Sequence, residues 1–427
     1  MTFASYGLNK LLVDNTGELN YTEPTPIQEQ AIPLIMEGSD VIGLAQTGTG
    51  KTAAFALPMI DRLMLSERSR APRALIVAPT RELAEQIFQA CRQLGKGSGI
   101  SGVTMYGGTA MRPQLRALER GVDVVIGCPG RILDHLERGT FDPTNLEMVV
   151  FDEADQMFDM GFFPVIRRIK EFLPTQRQTL LFTATMPKEI KSLAEEIVTN
   201  AKTIKIGKTG LSKTVSHNMY SVADSQKREL LLELIKDSSV GSAIVFTRTK
   251  RRAKAIDDLM SGSGVAVTSL QGNLSQAKRQ RAIDGFRSGK FKVLIATDIA
   301  ARGIDISQVS HVINFDMPDT VEAYTHRTGR TGRAERLGDA ISFVTSGDRR
   351  MLKRIQGNLR ISMKEIQMPV SIQGAKKRKP NSASGRASHL PSSGRSAQRR
   401  PSASSKRRPQ SARRRNVKGG AGRRRAS

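Results

Sequence analysis

Short, nearly unbroken apolar runs recur along the first 373 residues, each ending in polar or glycine-rich residues and followed by a stretch of helical spacing. In the first half they lie at 40–44, 74–78, 123–127, 148–151 and 179–182; in the second, at 243–246, 292–296 and 311–315. Runs without a polar alternation suit strands buried on both faces, so the chain predicts parallel sheets flanked by helices, an α/β fold. One helix reads directly: Ser275 is placed as an N-cap, 277–286 is amphipathic, and Gly289 is placed as the C′ stop. The polar stretch 207–213 has the composition of a linker. The expectation is therefore two α/β domains, 1–206 and 214–370. Their ligands should lie at the carboxyl ends of the strands.

Charge changes the picture at one end only. The 427 residues hold 67 Lys and Arg against 40 Asp and Glu, a net charge of +27. Residues 374–427 carry 18 of those cations, with no Asp, Glu or aromatic residue. Such a segment has too little apolar surface to offset its ordering entropy, so it reads as a disordered tail. Its charge suits a polyphosphate such as nucleic acid, with salt-sensitive affinity and no means of reading bases; a solubility tail is the alternative. No apolar run approaches the ~18 residues of a membrane span, and the first twelve residues lack the form of a signal peptide. Two cysteines make neither a disulfide framework nor a zinc cluster. A soluble protein of a reducing, cytoplasmic compartment is expected, without a membrane partner.

Three polar clusters follow these runs. Ala45-Gln46-Thr47-Gly48-Thr49-Gly50-Lys51-Thr52 is a phosphate loop with Ala at the usual first Gly. Its backbone N–H groups can cradle phosphates, Lys51 can reach the β/γ-phosphates, and the Thr52 hydroxyl can ligate Mg²⁺. Asp152-Glu153-Ala154-Asp155 ends the 148–151 run. There Asp152 is placed to hold Mg²⁺ and Glu153 to orient and deprotonate an attacking water. The third cluster, 326–333, sets Arg327, Arg330 and Arg333 at three-residue spacing among glycines. Guanidinium groups neutralise charge that develops on a transferring phosphoryl group.

With these motifs in this order, residues 1–370 resemble the DEAD-box ATP-dependent RNA helicases of superfamily two, most of all the bacterial RhlE subgroup. The resemblance implies two tandem RecA-like domains, ATP and Mg²⁺ as cofactors, and structured or duplex RNA as partner. Pro24-Thr25-Pro26-Ile27-Gln28 resembles the Q motif, which implies that Gln28 contacts the adenine edge, beside Thr25; an amide both donates and accepts. Tyr21 would pack on that ring, and Phe3 is similar to the family's isolated upstream aromatic. Pro79-Thr80-Arg81-Glu82-Leu83-Ala84, Gly107-Gly108 and Pro129-Gly130-Arg131 resemble the first domain's RNA-backbone motifs. Thr183-Ala184-Thr185 resembles the motif coupling hydrolysis to strand separation, and Asp155 and His326 join that coupling set. In the second domain, 245–250, 271–279 and 296–305 resemble motifs IV to V. They imply Arg248, Gly272 and Thr297 near RNA and Asp305 near the ribose, while Arg330 and Arg333 match the arginine fingers. Three positions depart from the pattern: Cys128 stands where Thr is usual, Thr183 where Ser is, and Gln271 where His is common. Cys128 loses a hydroxyl for an RNA phosphate, a thiol being the weaker donor. The hydrolytic set is untouched. The implied activity is RNA-stimulated ATP hydrolysis coupled to local unwinding or remodelling. The alternatives are an RNA chaperone or scaffold acting through the tail, and an ATP-dependent DNA helicase.

Overall fold

The computed structural model describes residues 2–46, 48–206, 214–237, 239–301, 309–332 and 337–373. Within them the apolar runs become strands of two seven-stranded sheets, every pairing parallel. The first sheet comprises β1 (Val41–Leu44), β2 (Ala74–Val77), β3 (Gly102–Met105), β4 (Val124–Gly127), β5 (Met148–Phe151), β6 (Gln178–Thr183) and β7 (Lys202–Lys205). Their spatial order is β3-β4-β2-β5-β6-β1-β7. The second comprises β8 (Val215–Ser221), β9 (Ala243–Phe246), β10 (Val267–Leu270), β11 (Val293–Ala296), β12 (His311–Asn314), β13 (Gly338–Val344) and β14 (Lys364–Glu365). Here the order is β10-β11-β9-β12-β13-β8-β14. Both sheets belong to one compact unit.

Burial explains why the runs are unbroken. In β2, Ala74 and Ile76 enter the core on one face of the sheet, and Leu75 and Val77 the core on the other. In β9, Ala243 and Val245 face one core and Ile244 and Phe246 the other. A strand covered by helices on both sides has no polar face to betray its period.

The apolar pattern missed β3, β7, β8, β10, β13 and β14. β7 is an edge strand in which only Ile204 is buried, so its sequence has no reason to be apolar. β13 is interior, but Asp339 and Ser342 interrupt its run. Ser342 is tolerated because Asn314 Nδ2 on β12 donates to its hydroxyl at 3.1 Å. The expected helix after Ser275 forms as Gln276–Arg287, with Ser275 capping through its carbonyl rather than its side chain. Gly289 follows in a left-handed turn (φ +75°). The expected linker at 207–213 and the tail at 374–427 lie outside the described residues.

Candidate nucleotide and nucleic-acid site

β1 runs into the phosphate loop, and helix Lys51–Leu65 begins directly after Gly50. Gly50 has φ +90°, and a Cβ there would stand 2.5 Å from Gln28 Nε2, so both backbone shape and close approach demand glycine. Thr25 Oγ1 donates to the Thr49 carbonyl (2.8 Å), and Gln28 Nε2 donates to the Gly50 carbonyl (3.1 Å). Gln28 Oε1 accepts from the Thr25 N–H at 2.9 Å, which caps helix Pro26–Met36. The 24–28 segment thus braces the loop from outside. Gln28 spends one bond from each end of its amide here, leaving one donor and one acceptor site for a base. Tyr21 stands 41% exposed, whereas Phe3 is buried in the core beside Tyr6. The fold therefore gives Phe3 to packing and leaves Tyr21 as open aromatic surface. Lys51 is buried and its Nζ donates to the Ala45 carbonyl at 3.0 Å. Thr52, next to it, is half-buried; Gln46 is exposed and its carbonyl accepts from Thr49 Oγ1 (2.8 Å). Gly48 also turns left-handed, and Thr47 lies outside the described residues.

Across the sheet, β5 delivers Asp152 and Glu153, both only 2% exposed. Glu153 sits at φ +54°, ψ +52°, a left-handed conformation costly for a residue with a side chain and concentrated at functional sites. Its N–H donates to Asp152 Oδ1 at 2.9 Å. Burial pushes both carboxyls above their ordinary range; Lys51 is the strongest influence opposing it, and Arg330 also opposes it at Glu153. Asp152 offers a buried carboxylate, and Thr52, next to Lys51 in the chain, a half-buried hydroxyl. Both are hard oxygen donors of the kind Mg²⁺ takes, and a cation at Asp152 would offset the cost of its burial.

The four expected coupling residues meet. Asp155 Oδ2 accepts from the N–H groups of Ala184 (3.1 Å) and Thr185 (3.0 Å) and from Thr185 Oγ1 (3.3 Å). Thr183 Oγ1 donates to the Thr185 carbonyl at 2.8 Å. His326, from helix Val321–Thr328, places Nε2 3.8 Å from Asp155 Oδ2. Arg330 follows on that segment, buried, and lines a cavity with Gln156, His326 and Arg327. Arg327 is otherwise engaged. It donates to both Asp298 oxygens (2.6 and 2.7 Å), to Asn314 Oδ1 (3.0 Å) and to the Asp316 carbonyl (2.7 Å), above the Phe246 ring. Arg333 and Asp305 lie outside the described residues.

The residues expected near RNA sit at the carboxyl ends of the strands. Pro79 is buried after β2, and Thr80 caps helix Arg81–Leu94 by accepting from the Leu83 N–H at 3.3 Å. Gly108, at φ +77°, leaves room for the Arg81 guanidinium, with which any Cβ would collide. Pro129 is buried and Gly130 exposed at the start of helix Pro129–Glu137. Arg131 turns inward, donating to Gln114 Oε1 (2.8 Å) and the Thr109 carbonyl (3.5 Å), so it braces the loop holding Gly108. Arg248 donates to the Met317 carbonyl and pairs with Asp319, both at 3.3 Å. Gly272 is exposed and Thr297 half-buried at the end of β11. Sequence reasoning missed the bridge between the two halves. Arg279 Nε donates to Glu82 Oε1 at 2.7 Å, with Gln276 Nε2 at 3.4 Å from the same oxygen. Each lies inside a motif stretch, but nothing in linear spacing pairs residue 82 with residue 279.

Residues 25–193 match the DEAD/DEAH box helicase family model, and 226–335 match the helicase conserved C-terminal domain. The chain is 41% identical over 368 residues to the ATP-dependent RNA helicase CshA of Listeria monocytogenes, covering 86% of this chain and 70% of that protein. It is 38% identical over 372 residues to the ATP-dependent RNA helicase DeaD of Buchnera aphidicola, covering 87% of this chain but 62% of that relative's length. Among solved structures, Saccharomyces cerevisiae Dbp5 bound to RNA and ADP–BeF3 matches with a TM-score of 0.77 and 33% identity, over 86% of this chain and 95% of that one. The two sheets therefore form tandem RecA-like helicase domains. The chain belongs to the DEAD-box ATP-dependent RNA helicase family. These relatives are DeaD and CshA proteins and do not carry the finer expectation of the RhlE subgroup.

Proposed function

We propose that this chain is an ATP-dependent RNA helicase, coupling RNA-stimulated ATP hydrolysis to local opening of RNA duplexes or remodelling of RNA–protein complexes. One observation carries the reading. Asp155, three residues from the candidate hydrolytic Asp152, binds the Thr183–Thr185 turn and stands 3.8 Å from His326 of the second domain. A single carboxylate thus links the nucleotide side, the coupling turn and the opposite domain. Family membership adds support, as do relatives named ATP-dependent RNA helicases and the likeness to Dbp5 with RNA and ADP–BeF3.

In this reading the phosphates of ATP lie on the Gly48–Gly50 backbone, and Lys51 exchanges the Ala45 carbonyl for phosphate oxygens. Gln28, Thr25 and Tyr21 hold the base, with Asp305 near the ribose. Glu153 orients a water and takes its proton as the water oxygen bonds to the γ-phosphorus and the β–γ bridge breaks, releasing ADP and phosphate. Arg330 and Arg333 face the charge developing on the transferring group. Thr52 and Asp152 would hold Mg²⁺, whose positive charge would offset that of the phosphates. Loss of the γ-phosphate removes what Arg330 binds, so the domains part and the RNA surface made by both is released. Preference for RNA over DNA would rest on 2′-hydroxyl contacts. Domain boundaries at 1–206 and 214–370 and a cytoplasmic setting belong to the same proposal. The chaperone alternative rests on residues outside those described.

The test is the steady-state ATPase rate without nucleic acid, with RNA, and with DNA of the same sequence, with Glu153→Gln as control. Stimulation by RNA alone, absent in Glu153→Gln, is expected. Equal stimulation by DNA, or a rate indifferent to both, would overturn the proposal.

A further inference from the structure

Outside the site already described, the second domain carries a groove of about 450 Å³ whose walls include Arg248, Asp319, Asp348, Arg350 and Arg354. It opens where β9, β12 and β13 end, the same edge of the sheet that presents Thr297 and His326. In parallel sheets this edge is where ligands bind. Its charge is more one-sided than its composition. Asp319 pairs with Arg248 at 3.3 Å, and Asp348 accepts from the Thr345 N–H (3.0 Å) and hydroxyl (2.6 Å), closing its own turn. Arg350 and Arg354 are both exposed, one helical turn apart on helix Arg349–Leu359, and have no ion-pair partner among the described residues. The helix also holds Arg349 and Lys353, and no acidic residue falls between 349 and 364.

We infer that this groove is a phosphodiester-binding extension of the RNA path, taking the strand onward from Arg248 over Arg350 and Arg354. The inference rests on the helicase reading above. Two guanidinium forks on one helix face, with the nearby carboxylates already engaged, suit the phosphates of a single strand more than a mixed-charge protein surface. Continuity favours RNA as the occupant, because Arg248 lines both the expected RNA surface and the groove. The contacts are to backbone, so they add affinity without sequence preference.

The experiment uses the full chain and two RNAs, one just long enough to cross the two domains and the same RNA extended at either end. Affinity is measured against salt for the parent, for Arg350→Ala/Arg354→Ala and for Arg350→Lys/Arg354→Lys. The alanine pair should bind the extended RNA ~10-fold more weakly, with the salt slope reduced by about 0.7 for each arginine lost. Binding and ATPase stimulation by the short RNA should be unchanged, and the lysine pair should retain most of the affinity. An unchanged slope and affinity for extended RNA, in a chain that still shows RNA stimulation, would overturn the groove alone. So would loss, in the alanine pair, of affinity for a polyglutamate peptide with none for RNA, which would make the groove a protein-docking surface. A parent chain that RNA does not stimulate would instead sink the helicase reading beneath it.

Discussion

The two domains prepare their shares of the site differently. In the first, the parts are assembled in advance: Thr25 and Gln28 brace the phosphate loop, Lys51 is folded onto Ala45, and Glu153 is held left-handed beside Asp152. In the second, Arg327 of the 326–333 cluster is committed to its own domain. Among the described residues, the second domain reaches the first through Arg330, His326, Arg279 and Gln276, all of which depend on the two domains meeting. In the proposed reading this is a division of labour: one domain holds most of the hydrolytic groups, and the other holds the condition for using them.

The sharpest break is Arg330→Ala. It leaves the phosphate loop intact, so ATP binding should persist while kcat falls by about 10³-fold or more, the scale of a removed arginine finger. Rapid-quench hydrolysis beside nucleotide titration checks it; loss of ATP binding with no separate effect on kcat would erase the distinction between the domains.

Glu153→Gln breaks the first domain's share, and kcat should fall roughly 10²–10⁴-fold. Because burial raises the Glu153 pKa above its ordinary 4.5, activity should fall on the acid side at a pH above the normal glutamate range. The stability effect has the opposite sense. A folded pKa raised above the unfolded value means that the ionised group costs stability, nothing below the ordinary value and the full amount above the raised one. Glu153→Gln should therefore raise stability at neutral pH, on the order of 1 kcal/mol, and leave it unchanged well below pH 4. Denaturation at the two pH values measures this, and equal effects at both would contradict it.

The bridge tests the second domain's condition more gently. Arg279→Ala should lower RNA stimulation by roughly 10-fold while basal hydrolysis holds, and Glu82→Gln added to it should cost little more, because the two act as one contact. Additive losses would show that they act apart.

How much of this was legible follows from what kind of information each part needs. β2, β5 and β9 were readable because burial on both faces forces unbroken apolar runs; β7 and β14 were not, since an edge needs no such run. Lys51, Asp152 and Glu153 stood out in the sequence because phosphate and water chemistry dictates residue type at close spacing, and the fold buries all three; their roles belong to the proposed function. Phe3 and Arg131 show the limit. Their motifs were visible, but only the fold reveals that one ring packs in the core and one guanidinium turns inward. Glu82 with Arg279 was invisible, because the pair exists only across the interface.

The smallest expected effect lies at Cys128, where sequence alone reads a lost hydroxyl. Cys128 begins helix Pro129–Glu137 and makes no side-chain cap bond there. Burial pushes its thiol up to about 12, so at neutral pH it is uncharged and would not repel a phosphate. Cys128→Thr therefore changes no charge; it replaces the sulfur by a hydroxyl oxygen able to accept from the helix's first N–H groups and adds one methyl group. A Thr cap is worth about 1 kcal/mol, so the unfolding free energy from denaturant titration should rise by that amount. If the same hydroxyl turns toward RNA, affinity for a short RNA should rise a few-fold, and stability should then rise less, since one hydroxyl cannot spend itself fully on both. Measuring the two together separates a cap from an RNA contact. No change in either would mean that the thiol's replacement of Thr is neutral here, and that the first domain's helix start is as well prepared with sulfur as with oxygen.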